Sequence, residues 1–86
     1  MFSEIVSALV GYVYDNAITF EGEKSDIPVD RSIIEEGIID SYAMIEMIAF
    51  MEGKWEITIT DEDFTAERMG SINKMAHLIN NKLTHK

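Results

Sequence analysis

The residues of this chain whose types and spacing suit chemistry are few. Ser41 follows Asp40 directly, behind the acidic pair Glu35 and Glu36, and precedes the apolar-rich run Met44 to Met51. If that run is a helix, Ser41 lies at or just inside its N-terminus, where backbone N–H groups lack acceptors within the helix. Asp and Ser both cap such ends well, so either Asp40 or Ser41 meets that need. A phosphate ester on Ser41 would meet the same free amides and the positive end of the helix dipole. A catalytic serine requires a histidine base held beside it, and nothing in the sequence brings His77 or His85 there. Those two histidines, with no cysteine and no His-rich neighbourhood, also make a poor metal set. Asp61 and Asp63 begin like a calcium loop, but the turn-glycine position is Ala66 and the bidentate-acid position is Ile72. Neither catalysis by this chain nor metal binding is expected.

The elements that must position these residues read as helices. Phe2, Ile5, Val6, Leu9, Val10 and Val13 recur at three- and four-residue steps and predict a first helix, with Ser3 as cap and Glu4 as first-turn acid. The pattern fades after Tyr14 or Ala17. Thr19 to Asp30 is polar, holds the only proline and reads as a long loop that Ile27 and Val29 pin to the core. A short turn at Ile33 and Ile34 should bury at least one of them before Gly37 redirects the chain, leaving Ser41 at the surface. In the second helix Met44, Met47, Ile48 and Met51 share a face, Glu46, Phe50 and Glu52 flank it, and Gly53 is expected to stop it.

Trp55 to Thr60 alternates apolar and polar residues, yet a lone strand cannot satisfy its backbone and the pairing candidate Ile18 to Phe20 is weak. An extended connection with Trp55, Ile57 and Ile59 buried is the expectation. Thr60 should cap a short acidic helix from Asp61 to about Arg68, with Asp63 as the capping-box acid. Ser71 should start a last helix carrying Ile72, Met75, Ala76, Ile79 and Leu83, its tail from Asn80 to Lys86 frayed. The expected fold is all-α: three main helices plus one short helix, in a single domain 1–86.

Composition narrows the function classes. Sixteen acidic against seven basic residues give a net charge of −9, which disfavours nucleic-acid binding because phosphate contacts need Lys and Arg. Such a surface either steers toward basic patches on protein partners or serves solubility. No run of about 18 uncharged apolar residues and no basic leader occurs, so neither a membrane span nor a signal peptide is expected. A soluble, cytoplasmic monomer is the consistent expectation. The six methionines either fill a small helical core or make a deformable interior able to admit an acyl chain.

An acidic loop, Asp40-Ser41, bulky Tyr42 and the helix Met44-Ile45-Glu46-Met47-Ile48-Ala49-Phe50-Met51-Glu52 together resemble the attachment motif of acyl carrier proteins. The order of helices is similar along nearly the whole chain. The resemblance implies that Ser41 carries 4′-phosphopantetheine, transferred from coenzyme A by a phosphopantetheinyl transferase, with Asp40 as the flanking acid of the motif. The arm's thiol would hold an acyl or aminoacyl group as a thioester. Many fatty-acid carriers have Leu after the serine and Gly two residues before the Asp-Ser pair; here Tyr42 follows, and Gly37 lies three residues before Asp40. The form Gly37-Ile38-Ile39-Asp40-Ser41 is more like freestanding carriers that serve adenylating ligases, the D-alanyl carriers among them. Implied partners are a loading ligase and a downstream transferase. Their basic surfaces would read Glu35, Glu36, Asp40 and Glu46, with Tyr42 adding an apolar contact. The rival classes are an unmodified acidic helical interaction module and a small calcium- or acid-responsive helical protein.

Overall fold

Burial of one stripe explains the first element of the computed structural model, which describes residues 2–17 and 20–85. Ile5, Leu9 and Val13, four residues apart, are all buried on α1 (Phe2–Asn16). The helix already includes Phe2, so Ser3 lies in its first turn and does not cap it. α1 packs chiefly against α4 (Ile72–Thr84), whose Ile72, Met75, Ala76 and Ile79 are fully buried. Between them come α2 (Ser41–Trp55) and the short α3 (Ala66–Met69), completing a small helical bundle with no strand among the described residues. Met44, Met47 and Met51 give α2 its buried face. None of the helices is long and apolar enough to cross a membrane.

The connection from α1 to α2 is irregular but anchored. A 3-10 turn at Lys24–Asp26 interrupts the expected loop, and the Asp26 carboxylate accepts from the Glu23 amide at 2.8 Å. Ile27 is buried, and the Val29 carbonyl accepts from the Asn73 amide at 2.8 Å, taking up one of the N–H groups that the start of α4 leaves without a helical acceptor. Ile33 to Gly37 forms a single helical turn. Ser32 Oγ caps it by accepting from the Glu35 amide at 3.1 Å, and Gly37 ends it at φ 76°. The Ile38 amide then returns to the Ile33 carbonyl at 2.9 Å, the bond pattern of a helix stop in the left-handed conformation. Ile33 is buried and Ile34 half-exposed, while Ile38 and Ile39 both pack into the core. The pairing candidate Ile18 to Phe20 falls partly outside the described residues.

Four expectations are corrected beyond the first helix. α2 runs through Gly53 to Trp55 and stops at Glu56, which takes φ 53° while the Ile57 amide returns to the Glu52 carbonyl at 3.3 Å. The glycine costs the helix about 1 kcal/mol, and packing of the last turn outweighs it: Phe50 stacks on Tyr12 with ring centres 4.4 Å apart and meets Trp55 edge-on at 6.0 Å. Trp55 therefore belongs to the helix and is half-buried. Ile57 is buried and Ile59 half-buried in the extended segment that follows.

Thr60 and Asp63 do form the reciprocal box, Thr60 N to Asp63 Oδ2 at 3.0 Å and Asp63 N to Thr60 Oγ1 at 3.3 Å. It supports only a turn at 61–63, because Thr65 caps the helix itself by accepting from the Arg68 amide at 3.2 Å. Finally, α4 is helical to Thr84, and Lys82 in the supposedly frayed tail reaches the buried Asp63 carboxylate at 2.8 Å. Arg68 contacts the same carboxylate at 3.0 Å.

Burial alone would raise the Asp63 pKa; hydrogen bonds from Lys82, from the Thr60 amide and hydroxyl, and from Arg68 outweigh it and hold the group well below the usual carboxylate range. The folded-state pKa being depressed, this clasp contributes fully above the unfolded value near about 4 and is lost as pH falls toward the folded one. Asp63→Asn should lower stability by about 2 kcal/mol at neutral pH, and the gap to wild type should narrow below about pH 4; urea unfolding across pH checks both. The two glycines separate by backbone conformation. A Cβ at Gly53 meets nothing within 4 Å in a helical position, so Gly53→Ala should stabilise by about 0.5–1 kcal/mol. Gly37→Ala, equally unobstructed but at φ 76°, should destabilise by about 1 kcal/mol, both read from thermal unfolding.

Candidate functional site

The start of α2 divides its work between two adjacent residues. Asp40 is the cap: its backbone is extended, and its carboxylate Oδ1 accepts from the Ala43 amide at 2.8 Å. Ser41 is the first helical residue, exposed, and its hydroxyl makes no hydrogen bond among the described residues. The Met44 amide donates to the Asp40 carbonyl at 3.0 Å as the first bond of the helix ladder. The amides of Ser41 and Tyr42 thus stand at the open end, where helix geometry supplies no acceptor.

Ser41 opens onto a groove of about 640 Å³ between the end of α1, the Ile34–Ile39 stretch and the first turns of α2. Its most buried lining residues are Ala17, Ile38 and Ile39. A second, smaller groove of about 280 Å³, which shares Ile34 with the first, is lined by Met44, Phe64, Met69 and the Ser32–Glu35 turn.

The sequence-predicted docking residues do not all behave alike. Glu35 and Glu36 both project from the exposed turn, but Glu36 sits 3.9 Å from Arg31 while Glu35 makes no ion pair among the described residues. Asp40 is committed to the cap. Glu46 is exposed on α2 one turn beyond Tyr42, and its charge adds to burial in raising the pKa of Tyr12 on α1. Tyr42, 71% exposed, stands beside Ser41 as expected.

Sequence reasoning missed Ile45. It is 63% exposed, one turn from both Ser41 and Tyr42, so an apolar pair lies open next to the serine hydroxyl. Exposed Phe64 and half-exposed Ile34 flank the smaller groove. The signal available was the Tyr42–Ile45–Ala49 spacing on the face opposite Met44, Met47 and Met51. The histidines lie elsewhere. His77 packs tilted against Phe2 with centres 4.4 Å apart and His85 follows the end of α4, and neither lines the groove at Ser41. Among the described residues no three His, Asp or Glu side chains cluster as metal ligands would.

No protein-family model matches this chain, and no curated protein does. A solved structure is similar to it. That structure, described as the crystal structure of an FAD-dependent dehydrogenase, aligns with a TM-score of 0.67 over 83% of this chain and 97% of the matched chain, at 22% identity. The two share a fold.

The division of labour at the helix start has a thermodynamic signature. Asp40→Ala should cost about 1 kcal/mol, the usual worth of an N-cap, whereas Ser41→Ala should stay within about 0.5 kcal/mol of wild type. Chemical denaturation of the two variants measures both.

Proposed function

We propose that this chain is a carrier protein whose Ser41 bears a 4′-phosphopantetheine arm, the arm's thiol holding an acyl or aminoacyl group as a thioester for transfer between partner enzymes. The observation that carries the reading is the exposed Ser41 hydroxyl at the start of α2, relieved of capping by Asp40 and free for modification. A phosphodiester on that oxygen meets the amide-rich end of a fifteen-residue helix, which favours an anion. The resemblance of the Asp40-Ser41 motif to carrier proteins supports the same reading. In the transfer, Ser41 Oγ bonds to the phosphopantetheine phosphorus, the pyrophosphate bond of coenzyme A breaks, and adenosine 3′,5′-bisphosphate leaves. The hydroxyl proton passes to a base on the transferase, since no histidine of this chain lines the groove at the serine.

The exposed Tyr42 and Ile45 favour a second reading, an unmodified helical module that binds a partner without carrying cargo. Incubation with coenzyme A, magnesium and a broad-specificity phosphopantetheinyl transferase separates the two. The carrier gains one phosphopantetheine by intact mass, and Ser41→Ala gains none. Transfer persisting in Ser41→Ala, or absent from folded wild type, contradicts the carrier reading.

Partner docking on this face combines both kinds of contact. Glu35→Lys and Glu46→Lys should slow modification at low salt by a few-fold, each exposed pair being worth about 0–1 kcal/mol, and the effect should shrink at high ionic strength. Glu36→Lys should do less, its charge already facing Arg31. Tyr42→Ala and Ile45→Ala should slow modification equally at low and high salt. Initial rates at two salt concentrations, with helicity checked by circular dichroism, measure the split; wild-type rates for Glu35→Lys and Glu46→Lys at low salt reduce the net charge of −9 to a solubility feature.

A further inference from the structure

We infer that the groove between α1 and the start of α2, rather than the Met44–Met69 groove, is a resting site for the arm on Ser41; the inference rests on the carrier reading above. The occupant follows from the attachment point, because Ser41 is itself part of the wall. A group tethered there meets the groove at high effective concentration, so weak contacts suffice to hold it.

The size is adequate. At about 640 Å³ the groove falls within the range of about 300–1,000 Å³ typical of small-molecule sites. The smaller groove, at about 280 Å³, does not include Ser41 among its lining residues.

The chemistry of the lining selects the same kind of occupant. Ala17, Ile38 and Ile39, each 8% exposed, give an apolar floor suited to methyl and methylene groups. Asn16 stands at the rim with its side-chain nitrogen already donating to the Tyr12 carbonyl at 2.8 Å. Its side-chain oxygen is left to accept from an amide N–H, and an arm built of two amides in an alkyl chain offers such donors. Among the described residues the charged ones lining the groove are Asp40 and Glu46, with no Lys or Arg, so a neutral chain is accepted and a free anion repelled. The phosphodiester stays outside, at the helix end.

The test uses the whole chain converted to its phosphopantetheine form, with conversion first established by intact mass. Isotope-filtered NMR should show nuclear Overhauser contacts from the arm's geminal methyl protons to the methyl groups of Ala17, Ile38 and Ile39. Shift changes between unmodified and modified protein should centre on the same residues, and Asn16→Ala should reduce those shifts at least two-fold without loss of helicity. Contacts to the Met44 and Met69 methyls, or no contacts in fully converted protein, overturn the groove assignment and leave the carrier reading standing. Failure of the folded wild type to convert overturns both.

Discussion

Ser41 is held in place by isoleucines. The stretch between α1 and α2 has no ladder of regular structure to fix it, and its position is set by burying Ile27, Ile33, Ile38 and Ile39 in the core shared by α1, α2 and α4. Gly37 makes this possible, because only a left-handed residue at that point lets the Ile38 amide return to Ile33 and sends the next two side chains inward. Asp40 then stands extended at the surface with its carboxylate over the first turn of α2. Without this anchoring the cap, the serine and the groove beside it would have no fixed relation. In a chain of 86 residues without cysteine, side-chain burial is the main resource for building it.

The face that the carrier reading assigns to docking follows from how α2 distributes its apolar residues. Met44, Met47 and Met51 satisfy the core, which leaves Tyr42 and Ile45 with no interior to enter. They lie open beside the serine, with Glu46 exposed on the same helix and Glu35 and Glu36 exposed on the turn before it. An acidic rim speeds encounter with a basic partner, and an apolar centre slows its departure; each alone makes a weaker docking surface than the two together. The segment around α3 is tied differently. Asp63 joins the chain before α3 to both α3 and α4 through Arg68 and Lys82, compensating for the near absence of helix in that connection.

Much of this was legible from residue patterns, and the misses share a cause. The stripes Ile5–Leu9–Val13 and Ile72–Met75–Ala76–Ile79 announce α1 and α4 because one face is apolar and the other is not. The Asp40-Ser41 step is legible for the same local reason: caps are short-range. α2 is harder, since Met44, Ile45, Met47, Ile48, Phe50 and Met51 are apolar nearly all round and period alone does not say which face is exposed. Ile45 was hidden by that. Gly53 misleads because a helix-breaking preference of about 1 kcal/mol loses to tertiary packing, here the Tyr12–Phe50–Trp55 contacts. Asp63 reads as a capping acid from its neighbours and does close the box with Thr60, though around a turn and not a helix; its partnership with Lys82 spans sequence too distant for any local pattern to reveal.

The central claim is that Ser41 is a covalently loaded residue, and the most direct test is the intact mass of the protein purified from the organism that makes it, followed by peptide mapping. The account predicts a mass above that of the bare chain by one phosphopantetheine, or by that arm with an acyl or aminoacyl group attached, localised to the peptide containing Ser41. A population consisting wholly of the bare chain, or an added mass that maps to a peptide without Ser41, contradicts it.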